Sequence, residues 1–303
     1  MKFSWIYDLP TSLQVKSFLK IKGISRSLLA KIKFRGGKIE VNETEVTVRY
    51  LLKENDSIQI TIPNETPHET TVPIDIPIDI LYEDQHYLVV NKPYGVASVP
   101  SQVHPESTMA NRVKGYYVRQ GYVDQVIHIV TRLDRDTTGL MLFAKHGYAH
   151  ALMDVQLRSK EIQKKYTALI KGQLDEGEHG FIDAPIARTV DSIITRRAHS
   201  SGKEALTEYW VKKSFPQATL VDIQLHTGRT HQIRVHFTHI GHPLMGDDLY
   251  GGEKNNWIVR QALHCNELNF IHPFTNEKIN LTLDHPEDIA QWLHQHKQQE
   301  VNR

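Results

Sequence analysis

A charged octet between two apolar runs constrains the fold of this chain more than any other feature. Residues 132–139 read Arg-Leu-Asp-Arg-Asp-Thr-Thr-Gly, and the flanking runs 126–130 and 140–144 are rich in branched residues. Short apolar runs of this kind predict two buried strands, which makes the octet the connection between them. A connection that only turns the chain does not need four charges. Ion pairing within a solvated loop is one explanation, and a reactive site is the other.

The composition is typical of a soluble globular protein. The chain has 303 residues, of which 40% are hydrophobic and 23% charged, enough for one large domain and a small one. No apolar run approaches the roughly 20 residues that a membrane span requires. Cys265 is the single cysteine, so an internal disulfide is excluded. We therefore expect a cytoplasmic protein, a monomer, without a membrane partner.

Positive charge is concentrated near the N-terminus. Residues 1–62 carry eleven Lys/Arg and six Asp/Glu, and residues 16–38 carry eight Lys/Arg and no acid. Apolar spacing predicts two short helices, and the alternating segments 38–42 and 56–62 predict two strands. The inward stripe of the second helix is predicted at Leu28, Leu29, Ile32 and Phe34, and its basic outer face at Arg26, Lys31, Lys33 and Arg35.

The order of residues in this unit resembles the S4-type RNA-binding module. The resemblance is carried by segments 24–27, 39–42 and 54–56, and it implies that the basic face contacts RNA phosphates. Residues 63–80 are acidic and punctuated by proline, which is typical of a semi-extended linker. We therefore predict a small α+β RNA-binding domain at 1–62, a linker at 63–80 and a large domain at 81–303.

A second polar stretch, residues 226–237, follows a predicted strand. From Thr230 onward apolar residues recur at helical spacing, so Arg229 is expected at a helix N-terminus, where an anion is favoured. That anion is either a nucleic-acid phosphate or a buried carboxylate. Histidine is a common metal ligand, so the five histidines between 226 and 242 suggest a metal site as a weaker alternative.

Several ordered segments resemble the RluA/RluD-type family of RNA pseudouridine synthases. They are residues 132–134 with 137–139, 165–168, 202–207 and 228–236, extended by 246–251 and 260–264. The resemblance covers residues 81–285 and implies an α+β fold with a mostly antiparallel central sheet flanked by helices and loops. One departure is Thr131, which stands where the family usually has histidine.

The resemblance also implies roles for particular residues. Asp134 is the nucleophile or base, and attack on the sugar, attack on the uracil ring and removal of a sugar proton all remain open. Burial would raise the pKa of this aspartate, and Arg229 is predicted to oppose that shift as its ionic partner. Tyr166 would stack on the uracil and Ile233 would supply an apolar wall. Arg132 would fill the stack vacated by a flipped nucleotide.

The remaining residues of the octet, Asp136, Thr137 and Thr138, are expected to brace the turn. The chain shows no phosphate-cradling glycine loop and no dinucleotide fingerprint, so we expect no bound cofactor and no metal. The expected substrate is RNA, with ribosomal RNA favoured over transfer RNA. The alternatives are an RNA-binding protein with an inactive enzyme-like body, and a metal-dependent phosphoesterase that uses Asp134, Asp136 and the histidines.

Overall fold

Two separate sheets organise this computed structural model, which describes residues 1–66, 71–101, 105–189, 192 and 194–301. The N-terminal sheet has four strands in the order β1-β4-β2-β3, and two helices pack on it. Its elements are β1 Lys2–Ile6, α1 Val15–Ile21, α2 Arg26–Phe34, β2 Lys38–Val41, β3 Thr44–Glu45 and β4 Ser57–Thr61.

The second helix of this unit begins and ends as its sequence dictates. The Ser25 hydroxyl caps α2 by accepting a hydrogen bond from the Leu28 amide, and Leu28 and Ile32 are buried against the sheet. Phe34 is 75% exposed, so its prediction as an inward residue was wrong. It is the last residue of α2, and the helix ends there instead of continuing across the sheet.

The large sheet follows the order β10-β13-β14-β9-β15-β8-β6-β5, with β16 paired to β15 and β7 paired to β8. All of these pairs are antiparallel except β15 with β8, which confirms the predicted α+β class with a mostly antiparallel sheet. Its elements are β5 Asp79–Glu83, β6 Tyr87–Lys92, α3 Met109–Arg119, β7 His128–Ile129, β8 Thr138–Ala144, α4 Gly147–Arg158, β9 Gln163–Lys171, β10 His179–Asp183, β13 Leu206–Phe215, β14 Ala218–Leu225, α5 Gln232–His239, β15 Leu263–Ile271, β16 Lys278–Thr282 and α6 Glu287–Val301. A separate hairpin is formed by β11 Ile186–Arg188 and β12 Arg196–Ala198.

Strand β8 lies in the middle of this sheet, and every one of its residues is buried. The octet ends in this strand at Gly139, where the backbone passes very close to β15. A Cβ at Gly139 would lie 2.2 Å from the Cys265 carbonyl oxygen, and the φ of Gly139 is +114°. Glycine is therefore required at the end of the octet by both close approach and backbone conformation.

The N-terminal unit packs directly on the large sheet body. Tyr148 of α4 belongs to the core of the N-terminal unit, and its hydroxyl donates to the Lys22 carbonyl. Phe3 stacks on Phe274, with ring centroids 5.6 Å apart. These contacts bury aromatic surface from both units, so the two units share a packed boundary.

The segment predicted as a linker follows the surface of the large body where it is described. Its residues 67–70 lie outside the described part of the chain. Before that gap, Glu65 bonds His128 at 2.6 Å and lies 3.9 Å from the Lys31 ammonium of α2. After it, the Ile74 amide donates to the Asn111 carbonyl of α3. Glu65 thus connects both units through one carboxylate.

No helix in the described ranges is long and apolar enough to cross a membrane.

Candidate active site

The charged octet turns the chain between β7 and β8, as the sequence predicted. The Thr137 amide donates to the Asp134 carbonyl at 3.2 Å, which closes a four-residue turn. This turn lies beside a cavity of about 620 Å³, and the Asp134 side chain is 30% exposed there. The cavity wall also includes Arg132, Tyr166 and residues 228–234. The structure therefore brings the two polar stretches of the sequence to one site.

Buried side chains from other elements hold the backbone of the octet. The Ser98 hydroxyl donates to the Leu133 carbonyl at 2.6 Å and accepts from the Leu133 amide at 3.1 Å. Lys92, at the end of β6, donates to the Arg135 carbonyl at 2.7 Å and to two carbonyls in the turn after β6. Burial lowers the pKa of Lys92 to about 7. Sequence reasoning missed both supports, because no local pattern links them to the octet.

A third support comes from Arg260, which lies three residues before the start of β15. Its guanidinium donates to the Asp136 carbonyl at 3.1 Å, and Thr138 bonds the His264 ring at 2.8 Å. The Asp136 carboxylate instead pairs with the neighbouring Arg135. The predicted bracing of the turn by its own residues is thus only part of the arrangement, since buried groups from outside the octet supply much of it.

The guanidinium that meets Asp134 belongs to Arg234, not to Arg229. An Arg234 nitrogen lies 3.4 Å from the Asp134 carboxylate, and two others bond Asp247 at 2.7 and 2.8 Å. Arg234 is 7% exposed and Asp247 only 1% exposed at the side chain. Burial opposes the charged form of Arg234, but the hydrogen bonds that it donates to Asp247, together with the charges of Asp247 and Asp134, outweigh this effect and raise the pKa of Arg234. A buried bidentate pair therefore orients the cation toward Asp134.

The predicted ionic pairing of Asp134 with Arg229 is corrected by the geometry of α5. This helix begins at Gln232, so Arg229 lies ahead of its first turn. The Arg229 guanidinium donates to the Glu204 carbonyl at 2.8 Å, and its amide donates to the Gln232 side chain. Arg234 lies within the helix, on the face that contacts the octet. Arg229 nevertheless lines the cavity, where it remains available to an anionic ligand.

An imidazole also approaches Asp134, although from a different position than the family pattern suggested. His231 Nε2 lies 3.9 Å from the Asp134 carboxylate, and its Nδ1 bonds the Tyr250 hydroxyl at 2.8 Å. The φ of His231 is +58°, a left-handed conformation that directs the residue before α5 into the site. Thr131 is buried, and its hydroxyl accepts a hydrogen bond from the Leu142 amide.

The apolar wall of the cavity contains two predicted residues. Tyr166, on β9, is 4% exposed, and Ile233, on α5, is equally buried. Both line the same cavity as Asp134. Burial raises the pKa of the Tyr166 phenol well above its usual value, with Cys265 beside it. The phenol therefore stays neutral and contributes an aromatic surface.

Four of the five histidines considered as metal ligands have other hydrogen-bond partners, and one of them, His231, bonds Tyr250. His226 bonds Glu208 at 2.7 Å, His236 bonds the Ala184 carbonyl at 2.9 Å and His242 bonds a backbone carbonyl of β9. Within the ranges that the structure describes, no group of three or more His, Cys, Asp or Glu side chains could hold a metal ion. Asp134 and Asp136 belong to no such group in the part of the chain that the structure describes.

Comparisons with known proteins concern the family and the fold of this chain. The family model described as RNA pseudouridylate synthase matches residues 86–239. A Bacillus subtilis protein with the name uncharacterized RNA pseudouridine synthase YjbO is 44% identical over 281 residues, which cover 93% of this chain and 98% of that protein. The ribosomal large subunit pseudouridine synthase D of Yersinia pestis is 38% identical and covers 73% of this chain and 71% of its own length.

The fold is also similar to that of solved structures. Human RNA pseudouridylate synthase domain containing 4 aligns with a TM-score of 0.59 at 24% identity, over 72% of this chain and 93% of that chain. A second human protein, named RNA pseudouridylate synthase domain containing 1, aligns with a TM-score of 0.57 at 23% identity. The alignment covers 73% of this chain and 87% of that chain. At these identities the likeness concerns the fold alone.

Proposed function

This chain belongs to the RNA pseudouridylate synthase family and is an RNA pseudouridine synthase; on that premise we propose that it modifies specific uridines of ribosomal RNA with Asp134 as the reacting group. The observation that carries the assignment is one carboxylate between a buried cation and an apolar wall. Asp134 is 3.4 Å from Arg234, and Tyr166 and Ile233 line the same cavity. We further propose that the protein acts in the cytoplasm, as a monomer.

The reaction detaches uracil from the ribose, turns it and reattaches it through carbon 5. The glycosidic bond between C1′ and N1 breaks, a bond between C1′ and C5 forms, the C5 proton leaves and N1 gains a proton. Asp134 would act on the nucleotide, while Arg234 stabilises the negative charge of the Asp134 carboxylate. Tyr166 and Ile233 would confine the detached base, because an apolar slot limits its escape into water.

A uridine inside a stacked RNA strand must leave its stack to reach this cavity. Arg132 is exposed, lies two residues before Asp134 and lines the cavity. A planar guanidinium stacks well on bases, so Arg132 is proposed to fill the vacated position. Arg229 is proposed to bind a phosphate of the flipped nucleotide, in place of the ionic role predicted for it.

Ribosomal RNA is favoured because relatives that are 34–38% identical are named ribosomal large subunit pseudouridine synthases. We expect that deleting the gene removes pseudouridine from one or a few sites of ribosomal RNA, and that the wild-type protein restores them while Asp134→Asn does not. The measurement is pseudouridine mapping of ribosomal and transfer RNA from the three strains. Loss confined to transfer RNA would favour the alternative substrate.

The N-terminal unit is proposed to be an S4-type RNA-binding domain. Arg26, Lys31, Lys33 and Arg35 are all exposed on or beside α2. Lys33 lies 4.5 Å from the ring centroid of the exposed Phe34. Cations interleaved with an exposed aromatic ring suit a nucleic-acid strand, since phosphates bind the cations and a base stacks on the ring.

Neutralising part of this face should weaken RNA binding and its dependence on salt. For the double variant Lys33→Gln/Arg35→Gln, the slope of log affinity against log salt should become shallower by roughly 0.7–0.9 for each phosphate that the variant no longer binds. Binding of a ribosomal RNA fragment between 50 and 300 mM salt, followed by fluorescence anisotropy, measures the slope. The matched control is Lys278→Gln/Lys297→Gln, two exposed lysines of the large body. Equal slopes for both double variants would refute the assignment.

A further inference from the structure

Lys164 is a cation in the cavity that has no assigned role. It lies on β9 two residues before Tyr166, so both side chains project from the same face of the strand, and both line the cavity with Asp134. Its neighbour Lys165 projects from the other face, where it pairs with Glu267 at 3.0 Å. Of the two adjacent lysines, Lys164 therefore faces the cavity and Lys165 faces away from it.

The Lys164 ammonium lies 5.6 Å from the ring centroid of Tyr166. No carboxylate in the described ranges is within salt-bridge distance of it, although the side chain is half-buried. The groups that face it are Asp134 from the octet, Tyr166 on its own strand and Cys265 on β15. Burial lowers the pKa of Lys164, and the charge of Asp134 acts in the opposite direction. A half-buried cation without a close counterion is costly, which is typical of a group that meets an anionic ligand.

The reaction creates such an anion. When the bond between C1′ and N1 breaks, its electron pair leaves with N1 and spreads over the two carbonyl oxygens of uracil. Arg234 is already held by Asp247 and directed toward Asp134, so it is committed to the carboxylate. Lys164 lies beside Tyr166, on the wall against which the base would rest.

We propose that Lys164 is a further catalytic residue, whose ammonium group stabilises the negative charge on a carbonyl oxygen of the detached uracil. This inference rests on the proposed placement of the uridine in the cavity. Lys164 remains protonated throughout, so it transfers no proton and needs no co-reactant. As the bond between C1′ and C5 forms, the electron pair of the uracil anion enters that bond. The C5 proton then leaves and N1 gains a proton, so charge and protons balance.

The test compares Lys164→Met, Lys164→Arg and Lys165→Met with the wild type in single-turnover reactions on ribosomal RNA. Lys164→Met should lower the rate of chemistry by about 100-fold, as removal of one charge-stabilising donor does in other active sites, with RNA affinity changed less than threefold. Lys164→Arg should recover at least a tenth of the rate, because arginine keeps the charge. Lys165→Met should stay close to wild type.

The dependence of the rate on pH separates a cation from a base. If Lys164 acts as a cation, the wild-type rate should fall as the pH rises and Lys164 loses its proton. Because burial lowers the pKa of Lys164 from its ordinary value of 10.5, this fall should begin below pH 10.5. The variant Lys164→Arg should not show the fall, since arginine stays protonated. A neutral amine acting as a base predicts an inactive Lys164→Arg. An inactive Lys164→Arg, or a folded Lys164→Met that reacts at the wild-type rate, would overturn the inference. The proposed function would still stand in either case if the wild type is active and Asp134→Asn is inactive.

Discussion

Replacing Asp134 by asparagine should abolish pseudouridine formation, with a rate at least about 10⁴-fold below that of the wild type. The substitution keeps the shape of the side chain but removes the negative charge that, in the proposed role, attacks the nucleotide or accepts its proton. The folded structure should survive, because the octet is held through its backbone by Ser98, Lys92 and Arg260. Tritium released from carbon 5 of uracil in labelled ribosomal RNA measures the reaction.

The matched control for this variant is Asp136→Asn, in the same turn. The Asp136 carboxylate pairs with Arg135, while the support from Arg260 reaches its backbone carbonyl, which the substitution retains. We expect Asp136→Asn to lose less than about tenfold in rate. An Asp134→Asn variant with substantial activity would disprove the assigned reacting group. A folded wild type that is inactive on ribosomal and transfer RNA alike would indicate an inactive body that only binds RNA.

The second large effect is expected at Arg234. Lysine there keeps a positive charge but cannot bond Asp247 in two places and reach Asp134 at the same time. Arg234→Lys should therefore lower the single-turnover rate by about 10²–10³-fold, with RNA affinity little changed. Arg229→Lys should lose less than about tenfold in rate, because the side chain of Arg229 bonds the Glu204 carbonyl and not the Asp134 carboxylate.

One further measurement makes this comparison decisive. Thermal melting of both variants shows whether Arg234→Lys has lost stability, since Asp247 is almost fully buried and depends on that guanidinium. A stable Arg234→Lys with the wild-type rate would refute the assigned contact. If Arg229→Lys were instead the inactive variant, the partner expected from the sequence would be the functional one after all.

Much of the fold follows from local patterns along the chain. The apolar run after the octet predicted a buried strand, and β8 is buried along its whole length because its side chains face packed layers on both sides. The run before the octet was also predicted to be a buried strand, but only His128 and Ile129 form β7, and both are half-buried. The position of Gly139 is likewise a property of one residue type, since only glycine has no Cβ to collide with β15. The ordered segments also identified the family, and with it the class of reaction.

Local patterns could not decide which side chains meet. Arg229 and Arg234 are five residues apart in one segment, and the choice between them depends on where α5 begins and which face it turns toward the octet. The same holds for Phe34, which has the apolar character of a core residue but lies where α2 ends. Hydrophobic periodicity reports that a face is buried and says nothing about its neighbour.

The sequence of the octet thus determined a turn that carries two carboxylates in an apolar frame. Only the tertiary structure decided its surroundings, through Lys92 and Arg260 beneath its backbone and Arg234 beside its carboxylate. These contacts join residues 43, 124 and 100 positions apart in the chain. Their partners are chosen by sheet order and helix placement, which emerge only when the whole domain packs.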